Sequence, residues 1–161
     1  MERMTISTAI EGPAAEVWER VVSLEGVNYE LAPWIRMTVP RGMSGKTIAD
    51  LEPGVRVGRS WLLLGGVLPV DYDDLCLAEI EPPRRFLERS TMATMAVWEH
   101  ERTVEPLGAA ACTVTDGLAF SLRAQLAAIP GSGGLARGIV GALFAHRHRR
   151  LVRAHGSAEP R

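Results

Sequence analysis

This chain of 161 residues contains little cysteine, little aromatic side chain and no long hydrophobic run. Cys76 and Cys112 form no CxxC pair and both lie in apolar stretches, which indicates free thiols rather than a disulfide. No stretch approaches the roughly 18 apolar residues that a membrane-spanning helix needs, and the first residues contain no apolar signal segment. We therefore expect a cytoplasmic protein without stable membrane insertion.

An excess of charge of one sign is also missing, because 18 basic residues oppose 19 acidic ones. A net charge of -1 argues against a nucleic-acid partner. Lys46 is the only lysine, so nearly every cation is an arginine. Neither the charge nor the composition defines an oligomeric state.

Motifs for cofactors, nucleophiles and metals are equally scarce. The segment 131–136 formally matches GxGxxA but follows no strand, so a flexible hinge is predicted there, and the segment 42–45 lacks the GxSxG spacing of a hydrolase. His146 and His148 are two residues apart on a predicted helix, too far around it to bind one metal, and are predicted to be solvated. The acidic residues around Tyr72 lack EF-hand spacing. We expect no cofactor and no metal.

The patterns that are present predict one α+β domain. A strand over 4–10 precedes a helix opened by Pro13, in which Val17, Trp18 and Val21 share a buried face, and a short helix over 28–32 follows. Six strand-like runs, separated by glycine, proline and aspartate, then cover 35–39, 55–64, 68–80, 84–90, 95–106 and 110–122. Short turns between neighbouring strands favour a single antiparallel sheet with the helices on one face. The domain is predicted over 1–155, with a flexible tail over 156–161.

The last predicted helix, over 135–153, carries a cation inside its apolar stripe. Ile139, Val140, Leu143, Phe144 and Leu151 fall within one arc of the helix. Arg147 lies near the middle of that arc. Either its guanidinium extends past the end of a core, or it enters a cavity that holds a polar partner.

Alternation along the strands places further ionisable groups on the same inner side. In the strand over 95–106, Trp98 and Val104 bring two polar side chains inward with them. The inward positions predicted on four strands are Trp61 and Leu63, then Tyr72 and Asp74, then Trp98, His100 and Arg102, and finally Asp116 and Phe120. Charges in a packed core cost several kcal/mol each, as a rough figure, unless they are paired or wetted. A solvent-containing cavity and a set of buried salt bridges, such as Asp116 to Arg102, both satisfy the pattern.

The order of elements and four short phrases resemble the SRPBCC superfamily. The phrases are AAEVW over 14–18, EGVNYEL over 25–31, EPPRRF over 81–86 and FAHRHRRL over 144–151. This START-like group includes polyketide cyclases, aromatase/cyclases, plant pollen-allergen proteins and lipid-transfer domains, and the resemblance covers roughly residues 3–153. It implies a helix-grip fold, in which a curved antiparallel sheet wraps around the C-terminal helix and encloses an apolar cavity. It brings no shared catalytic residue, so function has to be argued from the site.

Three functional hypotheses follow. The first is a protein that binds a small, largely apolar ligand of aromatic, polyketide-like or lipid-like character. Its ligand-binding residues would be Trp61, Leu63, Tyr72, Asp74, Trp98, His100, Arg102, Asp116, Phe120, Val140, Leu143, Phe144 and Arg147. The second is a cyclase or aromatase in which His100 relays a proton, Arg102 stabilises an enolate oxygen and Asp116 orients the histidine. The third is a protein-interaction module, which would have a filled core and a large exposed apolar patch.

Overall fold

The computed structural model describes residues 1–158 and consists of a curled seven-stranded antiparallel sheet that holds a long helix. The elements are β1 Glu2–Glu11, α1 Ala14–Val21, α2 Leu24–Leu31, β2 Ile35–Met37, β3 Arg56–Leu64, β4 Leu68–Glu81, β5 Arg85–Met92, β6 Met95–Pro106, β7 Ala111–Leu122, α3 Ala124–Ala127 and α4 Ser132–His155. Two short 3-10 turns, Arg41–Met43 and Ile48–Asp50, lie between β2 and β3. The strand order is β1-β7-β6-β5-β4-β3-β2. The predicted α+β helix-grip fold is confirmed.

Helix α1 is amphipathic and packs on the sheet. It begins directly after Pro13, whose fixed φ suits the first turn of a helix. Val17, Trp18 and Val21 are buried, and the Trp18 ring lies 6.4 Å from that of Phe86 on β5. The predicted burial of Trp18 is therefore confirmed.

Helix α2 is held close to α1 and tied to β2. The Ser23 hydroxyl accepts a hydrogen bond from the backbone N–H of Gly26. A Cβ at Gly26 would stand 1.9 Å from the carbonyl oxygen of Arg20, so the close approach of the two helices requires glycine. The Asn28 side chain bonds both the backbone N–H and the carbonyl of Met37. These contacts position Glu30, at the C-terminal end of α2, inside the fold.

Helix α4 starts earlier than the sequence pattern predicts. Gly131 has a φ of 82°, and the helix begins at the next residue, so the predicted hinge over 131–136 forms mostly the first helical turn. The inward face of α4 consists of Val140, Phe144, Arg147, His148 and Leu151.

The predicted tail begins with a short pairing to β1. Ser157 forms a bridge with Ile10, and the Ala158 N–H donates to the carbonyl of Ala9 at 3.3 Å. Residues 159–161 of that tail lie outside the described part of the chain.

Bulges decide which side chains of β3 and β4 face the helix. The register shifts between Leu77 and Glu79 in β4, and between Arg56 and Gly58 in β3. Because a bulge adds one residue, Ile80 and Leu77 both pack inward although they are three positions apart. The face predicted for the rest of both strands therefore has the wrong phase.

The apolar core has two parts. One part lies around α1 and the end of α4, and it includes Trp18, Phe86 and Leu151. The other lies against the middle of α4 and includes Trp98 and Phe144. His100 lies between the two, since its ring is 5.3 Å from Phe86 and 5.2 Å from Phe144.

Candidate functional site

A cavity of about 720 Å³ lies between the sheet and α4. Its wall is largely apolar, with contributions from α2, the inner faces of β2 to β6, the end of β7, α3, the α3–α4 connection and α4. The apolar lining includes Leu24, Val27, Leu31, Ile35, Met37, Leu62, Leu75, Phe86, Met92, Met95, Trp98, Leu122, Leu126, Val140, Leu143 and Phe144. Ile129, Leu135 and Ile139 also line it and are exposed, so they mark its opening. Such a cavity has the size and composition of a small-molecule site.

Part of the predicted ligand-binding set lines this cavity. The residues that do so are Trp98, His100, Val140, Leu143, Phe144 and Arg147. The phase of β6 and the inward orientation of Arg147 on α4 are thus as predicted.

Four predicted residues on β3 and β4 lie away from the cavity. Ser60 and Leu62 line the cavity in place of Trp61 and Leu63. Trp61 is 45% exposed and packs edge-on against Tyr72. The Arg59 guanidinium lies over the Tyr72 ring in a cation–π contact.

On β4 the cavity is lined by Asp71, Asp73 and Leu75 instead of Tyr72 and Asp74. Asp74 forms ion pairs with Arg56 and Arg59, both of which are exposed. The bulges described above are the physical reason for these four errors.

Three other predicted residues are buried behind the cavity wall. Phe120 is buried next to Trp98, with ring centroids 6.1 Å apart, and does not line the cavity. Arg102 and Asp116 are completely buried and also lie outside the lining. The prediction that Arg102 contacts a ligand is therefore wrong.

All three nitrogens of the Arg102 guanidinium donate to carboxylates. Its Nε and Nη2 donate to Asp116, both at 2.7 Å, and its Nη1 donates to the two oxygens of Glu30 at 2.9 and 3.0 Å. Burial alone would lower the pKa of Arg102, but the charges of Asp116 and Glu30 raise it. Burial likewise opposes ionisation of Asp116, yet Arg102 holds the pKa of that carboxyl well below its ordinary value. Both groups are charged at neutral pH, which makes Asp116 an acceptor only.

Asp116 also receives hydrogen bonds from two histidines. His100 Nε2 lies 2.9 Å from Oδ1 of Asp116, and His148 Nε2 lies 3.0 Å from its Oδ2. Because the carboxylate can only accept, both Nε2 atoms carry a proton. His148 was predicted to be solvated, but it is buried and its Nδ1 bonds the Thr8 hydroxyl. His146 bonds the Ala32 carbonyl through Nε2 and is only partly exposed.

His100 is the member of this network that reaches the cavity. Its ring is fixed between Phe86 and Phe144, and its Nε2 is committed to Asp116. Its Nδ1 lies 3.8 Å from Oε2 of Glu88. With its proton on Nε2 alone the ring offers Nδ1 as an acceptor, whereas in the imidazolium Nδ1 carries a proton that faces Glu88.

Glu30 connects the network to Arg147, and the sequence reasoning missed it. Arg147 donates from Nε to Oε2 of Glu30 at 2.9 Å, and its Nη2 lies 2.8 Å from the same oxygen as an ion pair. Its guanidinium also stacks on Phe144, 4.8 Å from the ring centroid. Of the two interpretations of Arg147, a cavity with a polar partner is therefore the one observed.

Two further acidic residues, also missed, line the cavity on neighbouring strands. Glu88 accepts a hydrogen bond from the Ser90 hydroxyl at 2.7 Å. Burial favours its neutral form, but the adjacent His100 lowers its pKa below the ordinary value. Asp73 is 4% exposed, and burial together with the neighbouring Glu88 raises its pKa well above the ordinary value. Within this pair, protonation is therefore favoured on Asp73 and disfavoured on Glu88.

The described residues hold no arrangement suited to a bound metal. Within residues 1–158 no three histidine, cysteine or acidic side chains are grouped as metal ligands. Cys76 and Cys112 are free thiols in the structure, as predicted. No helix within the same range is long and apolar enough to cross a membrane.

Comparison with known proteins gives one family and many related folds. The profile of a family described as a domain of unknown function, DUF8410, matches residues 8–155. No curated protein matches the chain significantly.

Among solved structures, the Zhui aromatase/cyclase from Streptomyces sp. R1128 aligns with 14% identity and a TM-score of 0.69, covering 95% of this chain and 92% of that one. A START superfamily protein from Mycobacterium smegmatis aligns with 12% identity and a TM-score of 0.66, covering 92% and 93%. DynU16, from the dynemicin biosynthetic locus, has 18% identity and a TM-score of 0.59, and the alignment covers 97% of this chain and 49% of that protein. At these identities the similarity establishes the START-like fold.

Proposed function

The chain belongs to the DUF8410 family and has the START-like fold, and from that premise we propose that it binds one small, largely apolar molecule between its sheet and α4. The cavity itself carries this proposal. Protein interiors are normally packed to the density of organic crystals, so an apolar space of about 720 Å³ is not a packing defect. Its exposed apolar edge, at Leu135 and Ile139, gives a ligand a path from solvent.

The polar side of the cavity would orient the ligand. His100, Glu88 and Asp73 supply polar atoms on three adjacent strands, and Arg147 faces them from α4. Arg102 is paired with Asp116, and Arg147 is paired with Glu30. These ion pairs can hold the polar side chains in position in the absence of a ligand. The ligand would then combine an apolar body with a polar end.

Two measurements test this function. Native mass spectrometry of protein purified from its own host would show whether a small molecule leaves with it. Titration with the neutral apolar dye Nile red would show whether the folded protein has a saturable site. We expect one molecule per chain in both measurements. Protein that carries nothing and binds no dye would contradict the proposal.

A second candidate is an enzyme of the cyclase or aromatase type. The observation that favours it is the Asp116–His100 pair, in which the carboxylate fixes the ring of a cavity-lining histidine through Nε2 and leaves Nδ1 available for proton transfer. That arrangement is suited to general base catalysis, for example removal of a proton next to a ketone. Since Arg102 is paired behind the cavity wall, Arg147, the arginine that lines the cavity, would stabilise a developing enolate in this version.

Replacement of His100 separates the two candidates. If the protein cyclises a linear poly-β-ketone, His100→Ala should reduce turnover by about a hundredfold or more, with affinity for the substrate nearly unchanged. His146→Ala is the matched control, because that histidine bonds the Ala32 carbonyl and does not line the cavity. Unchanged turnover in His100→Ala would exclude this residue as the base. An open cavity weighs against the protein-interaction hypothesis, which requires a filled core.

A further inference from the structure

Asp73 has a buried oxygen that finds no partner in the protein. The residue is 4% exposed and lines the cavity from β4. Its Oδ1 makes no hydrogen bond to any of residues 1–158. A buried polar atom without a partner costs stability, and in native proteins such atoms are few and call for a specific explanation.

Three of the four oxygens on the neighbouring acids Asp71 and Glu88 already accept hydrogen bonds. Both oxygens of Asp71 accept hydrogen bonds, from the backbone N–H groups of Tyr72 and Ala93 and from the Thr94 hydroxyl. Glu88 accepts from the Ser90 hydroxyl, and its second oxygen faces His100. Within residues 1–158, Oδ1 of Asp73 is the fully buried carboxylate oxygen of this cavity wall that has no hydrogen-bond partner.

The charge on this side of the cavity disfavours anions. Asp71, Asp73 and Glu88 are acidic, whereas the charge of Arg147 is paired with that of Glu30. A carboxylate placed against β4 and β5 would lie next to the acidic side chain of Glu88, whose ionisation is favoured. A neutral donor meets no such repulsion.

We propose that Oδ1 of Asp73 accepts a hydrogen bond from a hydroxyl group of the ligand, so that the molecules bound here are apolar alcohols or phenols rather than carboxylic acids. The proposal rests on the proposed binding function and specifies its ligand class. The raised pKa of Asp73 is consistent with it, because a protonated Asp73 can direct its own proton to Glu88 and keep Oδ1 as the acceptor.

Three pyrenes substituted at the same ring position provide the test. Hydroxypyrene offers a donor, methoxypyrene has nearly the same shape without one, and pyrenecarboxylate is an anion. Dissociation constants are measured for each with the whole protein. The affinity ratio is the dissociation constant of methoxypyrene divided by that of hydroxypyrene. We expect this ratio to be about tenfold larger in the wild type than in Asp73→Leu, because the variant lacks the buried acceptor for the hydroxyl. Pyrenecarboxylate should be the weakest of the three.

Two variants serve as controls for Asp73→Leu. Asp74→Leu removes the neighbouring acid, which faces Arg56 and does not line the cavity, so the affinity ratio should stay as in the wild type. Asp73→Asn can donate its amide to Glu88 and keep Oδ1 as an acceptor, so it should retain most of the ratio. Asp73→Ala replaces the leucine variant if the larger side chain prevents folding.

The outcomes separate this inference from the function on which it rests. If all three pyrenes bind and the ratio is the same in the wild type and Asp73→Leu, Asp73 does not recognise a hydroxyl, although the cavity still binds apolar molecules. An equal loss of the ratio in Asp74→Leu would also overturn the assignment. If no pyrene binds at all, the proposed function fails, and this inference fails with it.

Discussion

At the scale of single residues, Glu30 holds the buried network together. Its two oxygens receive hydrogen bonds from Arg102 and Arg147, which come from β6 and α4, while Glu30 itself belongs to α2. Removal of one partner from a buried ion pair is far more costly than the pair's net contribution, because the other charge is left uncompensated. Here removal of the Glu30 carboxylate would leave two buried guanidinium groups without this partner.

We therefore expect Glu30→Ala to lower the free energy of unfolding by about 3 to 5 kcal/mol, measured by urea denaturation. Glu25→Ala is the matched control, since Glu25 is exposed on the same helix, and it should change stability by no more than about 0.5 kcal/mol. A loss of less than about 1 kcal/mol in Glu30→Ala would show that water reaches the two arginines and replaces the carboxylate.

Asp73 allows a prediction of pH dependence with a definite sign. Its pKa is raised in the folded state by burial and by Glu88, so the folded protein holds this proton more tightly than the unfolded chain does. The contribution of Asp73 to the free energy of unfolding therefore falls as the pH rises from the pKa of the unfolded chain, about 4, toward the pKa of the folded protein. An asparagine side chain at this position cannot titrate. We expect Asp73→Asn to raise the melting temperature progressively from pH 4 to neutral pH, with little gain at pH 4 itself.

The melting temperatures of Asp73→Asn and Asp74→Asn are compared over the same pH range. The Asp74 variant loses an ion pair with Arg56 and should show no gain that grows with pH. A constant difference between wild type and Asp73→Asn at every pH would mean that Asp73 is not perturbed by its surroundings.

Some of these residues could be identified from the sequence and others could not. Arg147 stood out because a long apolar stripe on α4 made one cation conspicuous. Glu30 is likewise a charged residue within the buried face of a helix, because Gly26, Val27, Glu30 and Leu31 share one face of α2. The helix predicted from residue 28 was too short to define that face. Glu88 alternates with Phe86 and Met92 on β5, so the period of a strand was sufficient to find it.

At the scale of elements, one part of α4 packs in the core and another part lines the cavity. Its C-terminal half packs through Leu151 into the core around α1, whereas Leu143 and Ile139 face the cavity. A larger side chain should therefore be tolerated at one end of the helix and not at the other.

Leu143→Trp should abolish Nile red binding and change the free energy of unfolding by less than about 1 kcal/mol, because the added ring fills empty space. Ala142→Trp is the control, since the neighbouring residue is exposed, and it should leave dye binding intact. Dye fluorescence and urea denaturation measure the two effects. A destabilisation of about 1 to 3 kcal/mol in Leu143→Trp, as for an overpacked core, would contradict the assignment of Leu143 to an open cavity.

The elements were predicted better than the faces of two strands. Turn signals such as Gly65-Gly66 and Leu107-Gly108 lie between strands in the structure, and the bounds of β6 agree with the pattern. The faces of β6 and β7 also agree, since both strands run across the site with a regular register at His100, Arg102 and Asp116. In β3 the bulge falls at Gly58, a glycine with a φ of 118° that is a local signal for it, whereas no glycine marks the bulge between Leu77 and Glu79 in β4.

At the scale of the whole molecule, the cavity divides the core into parts that the polar network connects. The apolar groups around Trp18 and those around Trp98 meet at His100, which contacts aromatic rings from both. A protein built in this way leaves apolar surface unburied inside itself. A bound apolar molecule would bury that surface and should stabilise the native state without any change of fold.

We expect Nile red, at a hundred times its dissociation constant, to stabilise the folded protein by about 2.7 kcal/mol, which raises the melting temperature by roughly 5 to 10 °C for a domain of this size. The shift should grow with the logarithm of dye concentration, since only the native state has the site. Calorimetry of the wild type and of Leu143→Trp at matched dye concentrations measures it, and the variant should show no shift. A shift of equal size in both proteins would mean that the dye binds elsewhere, for example at the exposed side chains of Leu135 and Ile139.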